Sequence, residues 1–273
     1  MSNIDRRHTL AAVGDNCVDI LRPGGRRFIG GNAVNVAVQF SALGGSSAYF
    51  GAVGADEYGA LTKRLLDRNG VDTSHLVRRP LPTARTEIHV SETGERRIVF
   101  EDFGACAGYA PGEDEIPALL AFDHVHIGWF DDGGALRRRL VEASRSVSQD
   151  ITVNASAENS GVEGLAIAFA AIEGSHEAAA RLARSLLTAG ARGVVVTRGA
   201  RGSSVFLGSA EAEIPARPIV PVDTTGAGDS YIAAFLHGWL SGAPPHVAGA
   251  KAAAHAALAC AHEGGFPQDP AAG

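Results

Sequence analysis

Short apolar segments with strand-like composition alternate with helical segments along most of this 273-residue chain. The first strand is predicted over Thr9–Gly14, and the first helix over Asn32–Leu43, where apolar residues recur at helical spacing until two glycines follow. Helices that alternate with short buried strands cover both faces of a parallel sheet. The alternation therefore predicts an α/β fold.

The same patterns predict the remaining elements of this fold. Further strands are expected at Ser46–Val53, Val125–Trp129, Ile151–Asn154, Leu165–Ala170 and Gly193–Thr197, and a strand-like run broken by prolines covers Pro215–Val222. Further helices are expected at Tyr58–Arg68, Ala135–Ser144, His176–Ala189, Tyr231–Ser241 and Pro245–His262. The stretch from Asp150 to Gly164 is ambiguous and is not expected to hold a helix.

One stretch departs from this alternation. Thr83–Phe103 has apolar residues at a spacing of two on either side of a turn at Glu92–Glu95, which predicts a β-hairpin inserted into the α/β chain. Such a hairpin either covers a sheet edge or forms a lid over a site.

Composition narrows the class of protein. With 20% charged residues and a formal net charge of −6, no basic surface for nucleic acid is indicated. The three cysteines, Cys17, Cys106 and Cys260, lie far apart and are expected to be buried thiols in a reducing compartment. The polar N-terminus is unlike a signal peptide, and no apolar run is long enough to cross a membrane. These features predict a cytoplasmic protein without a membrane partner.

The segment Asp223–Ser230 carries the strongest chemical signal. Its glycines precede a predicted helix, and a glycine-rich turn at a helix N-terminus directs unpaired backbone N–H groups at an anion such as phosphate. A carboxylate beside phosphate repels it, so Asp229 makes sense as a base that takes a proton from an attacking hydroxyl. The alternative is a flexible loop with an aspartate that caps the helix.

A second group of polar residues lies near the N-terminus. Asp15 follows the first strand, where open α/β sheets bind ligands, and Asp19 lies four residues later. Gly31 then precedes Asn32 and Asn35, which share one face of the predicted helix. Carboxylates and amides together provide the acceptors and donors that a polyhydroxyl ligand needs. Each residue also has a purely structural explanation, as a cap, a turn residue or a satisfied polar side chain.

A third turn, Thr197–Gly202, contains T-x-G-x-x-G after an apolar strand. It could contact a nucleotide, although the pattern alone is weak. The P-loop pattern GxxxxGK[ST] and the HRD motif of protein kinases do not occur in the sequence. The tripeptide Asp102-Phe103-Gly104 matches DFG, but without HRD before it this match does not indicate a protein kinase.

Taken together, these motifs resemble those of the ribokinase-like, PfkB-type carbohydrate kinases, in the same order and over essentially the whole chain. They are G-D-x-x-x-D (Gly14, Asp15, Asp19), G-G-x-x-x-N (Gly30, Gly31, Asn35), G-x-D-x-x-G (Gly54, Asp56, Gly59), T-x-G-x-x-G (Thr197, Gly199, Gly202) and D-T-x-G-A-G-D (Asp223 to Asp229). The segments near Asp15 and Asn32 and the ending Glu263–Phe266 most resemble the fructoselysine 6-kinase branch.

This resemblance implies the transfer of the γ-phosphoryl group of ATP to a sugar hydroxyl, in that branch the 6-hydroxyl of a fructosamine. Asp229 would be the base, and backbone groups at Gly226, Ala227 and Gly228 and of Asp229 itself would form an anion hole. The sugar would be held by Asp15, Asp19, Gly31, Asn32 and Asn35. The nucleotide would be held by Thr197, Gly199, Gly202 and Thr224.

The resemblance also implies a single three-layer α/β/α domain over 1–273 with a small β lid, whose strands lie at about 18–29 and 83–103. It further implies a homodimer formed through the lid and a requirement for Mg²⁺. One departure concerns the metal, because the family's N-x-x-E pattern is missing and only Glu173 or Glu177 could substitute for it. A monovalent cation near Asp223 is left open. His126, Trp129, Asp131 and Asp132 are substrate-side candidates, and for the histidine and the tryptophan a place in the core is the alternative.

Three functions remain open from the sequence. The first is an active sugar kinase, for a fructosamine or for another sugar such as a ketohexose or ribose. The second is a nucleoside kinase on the same scaffold, and the third is a homologue that binds sugar or nucleotide without catalysis.

Overall fold

The structure is a computed structural model that describes residues 7–90, 96–154 and 156–271. Its strands are β1 (Thr9–Val13), β2 (Cys17–Arg22), β3 (Arg27–Gly30), β4 (Ser46–Gly54), β5 (Leu76–Arg79), β6 (Arg85–Val90), β7 (Arg96–Asp102), β8 (His124–Ile127), β9 (Val147–Asp150), β10 (Ile167–Ala171), β11 (Gly193–Thr197), β12 (Ser203–Leu207) and β13 (Ala210–Ile214). Its helices are α1 (Asn32–Ala42), α2 (Glu57–Arg68), α3 (Ile116–Leu119), α4 (Ala135–Glu142), α5 (His176–Thr188), α6 (Ala227–Leu240) and α7 (Pro245–Ala259).

Within the described residues, the larger sheet has nine strands in the order β13-β12-β11-β10-β9-β8-β1-β4-β5. Pairing is parallel from β11 to β5, while β12 and β13 pair antiparallel at one edge. Parallel neighbours need crossover connections, which the helices supply. The carboxyl ends of β1, β8 and β9 therefore meet at one edge of the sheet.

Alternation along each strand divides the core between two helical layers. Ala11 and Val13 of β1 pack in a cluster with α3, α4 and α5, whereas Leu10 of the same strand packs with α1, α6 and α7. Ala12 joins a third cluster with α1 and α2. Successive side chains of a strand point to opposite faces, so both faces of the sheet are apolar and covered. This is the predicted three-layer α/β/α fold.

A smaller four-stranded sheet, in the order β3-β2-β6-β7, forms the lid. Its strands are β2, β3, β6 and β7, with antiparallel pairing except between β2 and β6. Leu21, Phe28 and Ile88 form its own small apolar cluster. The turn expected at 92–95 lies outside the described residues, as do residues 1–6 of the N-terminus.

Two strand predictions are wrong. The strand expected at Ile151–Asn154 lies four residues earlier, as β9, because the buried residues Ser148 and Gln149 interrupt the apolar pattern there. The run Pro215–Val222 is not a strand, and Val220 in it is 95% exposed. Sheet pairing instead uses β12 and β13, which the sequence pattern did not reveal.

Helix ends also differ from the predictions. The helix expected to begin at Tyr231 begins at Ala227, which places Asp229 in its first turn. The last helix ends at Ala259 rather than His262. No helix within the described residues combines the length and the apolar character needed to cross a membrane.

The G-x-D-x-x-G motif joins the large sheet to the lid. The Asp56 carboxylate accepts hydrogen bonds from Gly59 N at 2.8 Å, Thr83 N at 2.7 Å and Thr83 Oγ1 at 2.6 Å. It therefore caps α2 and fixes the segment that leads into β6. A Cβ at Gly54 would lie 2.3 Å from Thr83 N, so the two segments can approach this closely only with glycine there.

We expect Asp56→Ala to lower the free energy of unfolding by about 2 kcal/mol, because it removes a helix cap together with the bonds to Thr83. Urea denaturation would measure the loss. The matched control is Glu57→Ala, an exposed neighbour whose removal should cost less than about 0.5 kcal/mol. Equal losses in the two variants would contradict this role of Asp56.

Candidate active site

The N-terminus of α6 separates two cavities. One, of about 580 Å³, is lined by Thr224, Ala227 and Gly228 from this turn. The other, of about 440 Å³, is lined by Thr225, Gly226 and Asp229 from the same turn. Neighbouring residues of one turn thus face two different cavities, and a group that is transferred between two ligands would pass here.

The first cavity collects the residues predicted for the nucleotide side. Thr197, Gly199 and Gly202 line it from the end of β11 and the loop that follows. Its opposite wall comes from α7 and from the loop before Asp223, with the apolar residues Ile219, Pro221 and Ala253. A polar glycine-rich end beside an apolar wall suits a ligand with phosphates at one end and a flat base at the other.

The second cavity collects the residues predicted for the sugar side. All of them line it: Asp15, Asp19, Gly31, Asn32 and Asn35. The lid strands β6 and β7 close the cavity from the other side with Arg85, Thr86, Ile98 and Glu101. Of the two interpretations of the hairpin, the structure favours a lid over a site, because β6 and β7 border this cavity.

Asp229 is held by two amides. Its Oδ1 accepts from Asn32 Nδ2 at 2.7 Å, and its Oδ2 accepts from Asn35 Nδ2 at 2.7 Å. The pKa of Asp229 is raised to about 7, chiefly by burial and also by the charges of Asp150 and Asp15, while the two amide hydrogen bonds oppose this shift. A carboxyl group with this pKa exchanges protons near neutral pH, as a general base must.

The start of α1 positions both asparagines. Gly31 precedes the helix at φ 109°, and a Cβ there would lie 2.6 Å from the Cα of Asn16. The Asp15 carboxylate accepts from the backbone N–H groups of Asn32 at 2.9 Å and Ala33 at 3.2 Å. Asp15 thus anchors the helix N-terminus, while burial raises its pKa.

Gly226 shapes the phosphate turn in the same way. It adopts φ 72° immediately before α6, and a Cβ there would lie 2.5 Å from the Cα of Gly265. The first N–H groups of a helix have no intrahelical partner, and in α6 the N–H of Ala227 donates to the carbonyl of Thr224 at 3.2 Å. The N–H groups of Gly228 and Asp229 and the helix dipole favour an anion in front of the turn.

The lid also contacts the phosphate turn. Arg96 Nη2 lies 3.0 Å from Asp223 Oδ2, and its Nη1 donates to Thr225 Oγ1 at 2.8 Å. Asp223 is buried and also accepts from Thr225 N at 2.8 Å and Gly264 N at 2.9 Å. The guanidinium of a lid residue therefore balances the negative charge at the start of the motif.

Two features of the site were not predicted. Asp150, at the end of β9, accepts from Asn32 Nδ2 at 3.1 Å, and burial raises its pKa. The misplaced strand concealed it, since a strand over 147–150 would have put Asp150 at the ligand-binding edge of the sheet. The other is the stack of Phe103 on Trp129, with centroids 4.0 Å apart, at the cavity wall. Trp129 was a candidate, and Phe103 was not.

Within residues 7–90, 96–154 and 156–271, no group of three or more acidic, His or Cys side chains is arranged to hold a metal ion. Glu173 and Glu177 are exposed, at the loop after β10 and in the first turn of α5. Mg²⁺ is commonly held by one or two carboxylates, water and phosphate oxygens, so a nucleotide could bring most of its ligands. All three cysteines are free thiols, two of them buried, and Cys17 lines the second cavity.

The family model for pfkB family carbohydrate kinases matches residues 7–133 and 160–271. The chain belongs to this family. The resemblance carried by its motifs is thereby confirmed, and the chain is a phosphotransferase that acts on an alcohol group of a sugar and uses ATP.

Curated relatives agree with the assignment of the chain to this family. The chain is 34% identical over 262 residues to the fructoselysine 6-kinase of Shigella flexneri, and the match covers 94% of this chain and 99% of that one. It is also 34% identical over 238 residues to the fructoselysine 6-kinase of Escherichia coli, covering 86% of this chain and 90% of that one. In structure it resembles the ribokinase of Arabidopsis thaliana in complex with ribose and ATP, with a TM-score of 0.86, 22% identity and coverage of 97% and 96%. This likeness confirms the ribokinase-like fold.

We expect Asn35→Ala to move the pH dependence of the rate to higher pH. The base must be deprotonated, so the rate falls as the pH drops through the pKa of Asp229, which lies at about 7. Loss of the Asn35 amide removes a bond that lowers this pKa, which then rises. The measurement is kcat against pH at saturating substrates.

Asn69→Ala at the distant end of α2 is the matched control, because its amide donates only to the carbonyl of Leu65 among the bonds described. Its pH profile should match that of the unchanged protein. An unchanged profile for Asn35→Ala would contradict the assignment of Asp229 as the titrating base.

Proposed function

We propose that this kinase phosphorylates a fructosamine such as fructoselysine at its 6-hydroxyl, with the nucleotide in the first cavity and the sugar in the second. The observation that carries the transfer is the segment 224–229 at the start of α6, whose neighbouring residues line two different cavities. The similarity to two fructoselysine 6-kinases supports the choice of substrate.

The chemistry follows from the groups at this turn. Asp229 accepts the proton of the sugar hydroxyl while that oxygen forms its bond to the γ-phosphorus. The bond between the γ-phosphorus and the bridging oxygen breaks, and ADP keeps that oxygen. Backbone N–H groups of Gly228 and Asp229 stabilise the charge on the transferred group. Asn32 and Asn35 hold the carboxylate of Asp229 in place.

The charge of the second cavity favours a cationic sugar derivative. Five carboxylates line it, and among the described lining residues Arg85 is the single cation. A fructosamine carries a protonated secondary amine, which carboxylates attract. Glu101 and Asp102 come from the lid end of the cavity, and we place the amine there. In fructoselysine the lysine carboxylate would then lie near Arg85. The lining carboxylates are Asp15, Asp19, Glu101, Asp102 and Asp229.

The first cavity is the proposed site of ATP and its metal ion. We place ATP in the first cavity, which Gly228 lines and where a Cβ on this residue would meet nothing within 4 Å, so that phosphate has room to approach the helix N-terminus. Mg²⁺ would be held chiefly by phosphate oxygens and water, where it would neutralise phosphate charge. A monovalent cation near Asp223 stays a prediction, as Arg96 already lies against that carboxylate.

The first experiment measures ATP consumption with Mg²⁺ on fructoselysine, other fructosamines, fructose, ribose and adenosine. We expect kcat/KM to be highest for a fructosamine. Glu101→Gln should raise KM for the fructosamine and leave KM for fructose unchanged, because only the former carries a cation. Preference for a free sugar or for adenosine would overturn the proposed substrate while keeping the kinase.

Asp229→Asn separates a kinase from a homologue that only binds. We expect it to lower kcat by about 10²–10⁴-fold, the usual contribution of a general base. ATP binding, measured by calorimetry, should persist. If turnover remained at the level of the unchanged protein, Asp229 would not be the base.

We further propose a homodimer formed through the lid. Strand β7 lies at the edge of the small sheet and exposes Ile98, Val99 and Phe100 by 56%, 49% and 42%. An exposed apolar edge strand is a ready surface for pairing with a second chain.

Sedimentation velocity should therefore show a dimer for the unchanged protein and a monomer for Val99→Lys. Val77→Lys is the matched control, since Val77 is an exposed valine on β5, the edge strand of the large sheet. A monomeric unchanged protein, or loss of the dimer in both variants, would contradict an interface at the lid. The single domain over 1–273 and the cytoplasmic location stay predictions.

A further inference from the structure

A chain of buried hydrogen bonds runs through the sheet and ends at Asn32. His124 Nδ1 lies 2.8 Å from Ser146 Oγ, and its Nε2 lies 2.8 Å from Ser148 Oγ. Ser148 Oγ is also 2.9 Å from His126 Nδ1, and His126 Nε2 is 3.3 Å from Asn32 Oδ1. We call Ser146, His124, Ser148 and His126 the histidine–serine chain. It connects the middle of the sheet to the cavity that holds Asp229.

The geometry of the strands aligns this chain. His124 and His126 lie two residues apart on β8 and so point to the same face of the sheet. Ser148 lies opposite His126 in the neighbouring strand β9. His124, His126 and Ser148 are fully buried.

The carboxylates fix the direction of every bond. Asn32 Nδ2 donates to Asp229 at 2.7 Å and to Asp150 at 3.1 Å, so its Oδ1 points to His126. A reversed amide would bring its oxygen against the Asp229 carboxylate. Asn32 Oδ1 can only accept a hydrogen bond, and His126 Nε2 must therefore carry the proton.

The proton positions follow from there along the chain. His126 Nδ1 accepts from the Ser148 hydroxyl, whose oxygen accepts from His124 Nε2. His124 Nδ1 then accepts from Ser146. Both rings are neutral, because burial lowers the pKa of His124 and of His126 to about 3. An unpartnered donor or acceptor on either histidine or on Ser148, which are fully buried, would cost free energy, so the order of donors and acceptors along these residues is specified.

We propose that His126 is a positioning residue that fixes the orientation of the Asn32 amide and thereby holds Asp229 for proton transfer. The proposal rests on the kinase function given above and adds a residue that does not itself line either cavity. The two carboxylates select which end of the Asn32 amide faces them, and the hydrogen bond from His126 Nε2 to the amide oxygen holds the amide plane so that Nδ2 lies between both carboxylates. An apolar residue in place of His126 would pack in the sheet but would leave the amide oxygen without this donor and the amide plane free to tilt.

The test compares two buried histidines on one strand. His126→Leu should lower kcat by about 10–100-fold and leave KM for ATP little changed, because an interaction needed in the transition state is lost. His124→Leu should lower kcat by less than about 3-fold, because Ser148 can still donate to His126. Thermal unfolding midpoints of both variants would show whether their structural costs are similar.

Two further readouts separate positioning from structural support. In His126→Leu the kcat profile should move to higher pH, since Asp229 loses a donor and faces the charges of Asp150 and Asp15 with only Asn35 to oppose them. His126→Gln, whose amide can donate to Asn32, should recover most of kcat. An unchanged profile, an unaltered kcat in His126→Leu, or equal losses of kcat in the two leucine variants would overturn the proposal.

Nitrogen-15 NMR of histidine-labelled protein tests the chain without any turnover. We expect both His124 and His126 as the neutral form with the proton on Nε2. A proton on Nδ1 of His126, or a charged ring, would overturn the proposal even if the variants did not fold. If the unchanged protein phosphorylated none of the sugars, the proposed function would be contradicted, while the NMR measurement would still test the histidine–serine chain.

Discussion

A carboxylate that is kept partly buried beside other carboxylates is the constraint on which the active site depends. Asp229, Asp150 and Asp15 converge at the edge of the sheet, and burial raises the pKa of each. The N-termini of α1 and α6 meet at the same place, and helix N-termini favour negative charge. The carboxylates are tolerated because backbone N–H groups and amides surround them, and a base with a pKa near neutrality results.

The lid belongs to the same arrangement. The segment that leads into β6 is fixed to α2 by the hydrogen bonds between Asp56 and Thr83. Strand β7 contacts the phosphate turn through the ion pair of Arg96 with Asp223. Phe103, just past the end of that strand, stacks on Trp129 beside β8. Three separate contacts thus join the small sheet to the large one, and they surround the cavity assigned to the sugar. The position of the lid and the geometry of the turn before α6 are therefore linked.

The fold could be predicted because the spacing of apolar residues along the sequence reveals most of its strands and helices. Strands such as Gly193–Thr197 and helices such as His176–Thr188 are regular enough to identify locally. Strand β9 was misplaced because three of its four residues are polar and buried. Their partners, which include two histidines, the amide of Asn32 and the carbonyl of Asn159, come from other parts of the chain. Local pattern cannot reveal partners that folding supplies.

The sequence by itself determined the fold class, the family and the residues that gather in the two cavities, because glycine turns and carboxylates at element ends are local features. Only the tertiary structure decided what those residues do to one another. It placed Asp229 between two amides and brought Asp150 beside it. It also set Arg96 against Asp223, which lies far from it in the chain. The direction of the amide of Asn32 and the raised pKa of Asp229 depend on distance and burial, and these exist only after the strands have paired.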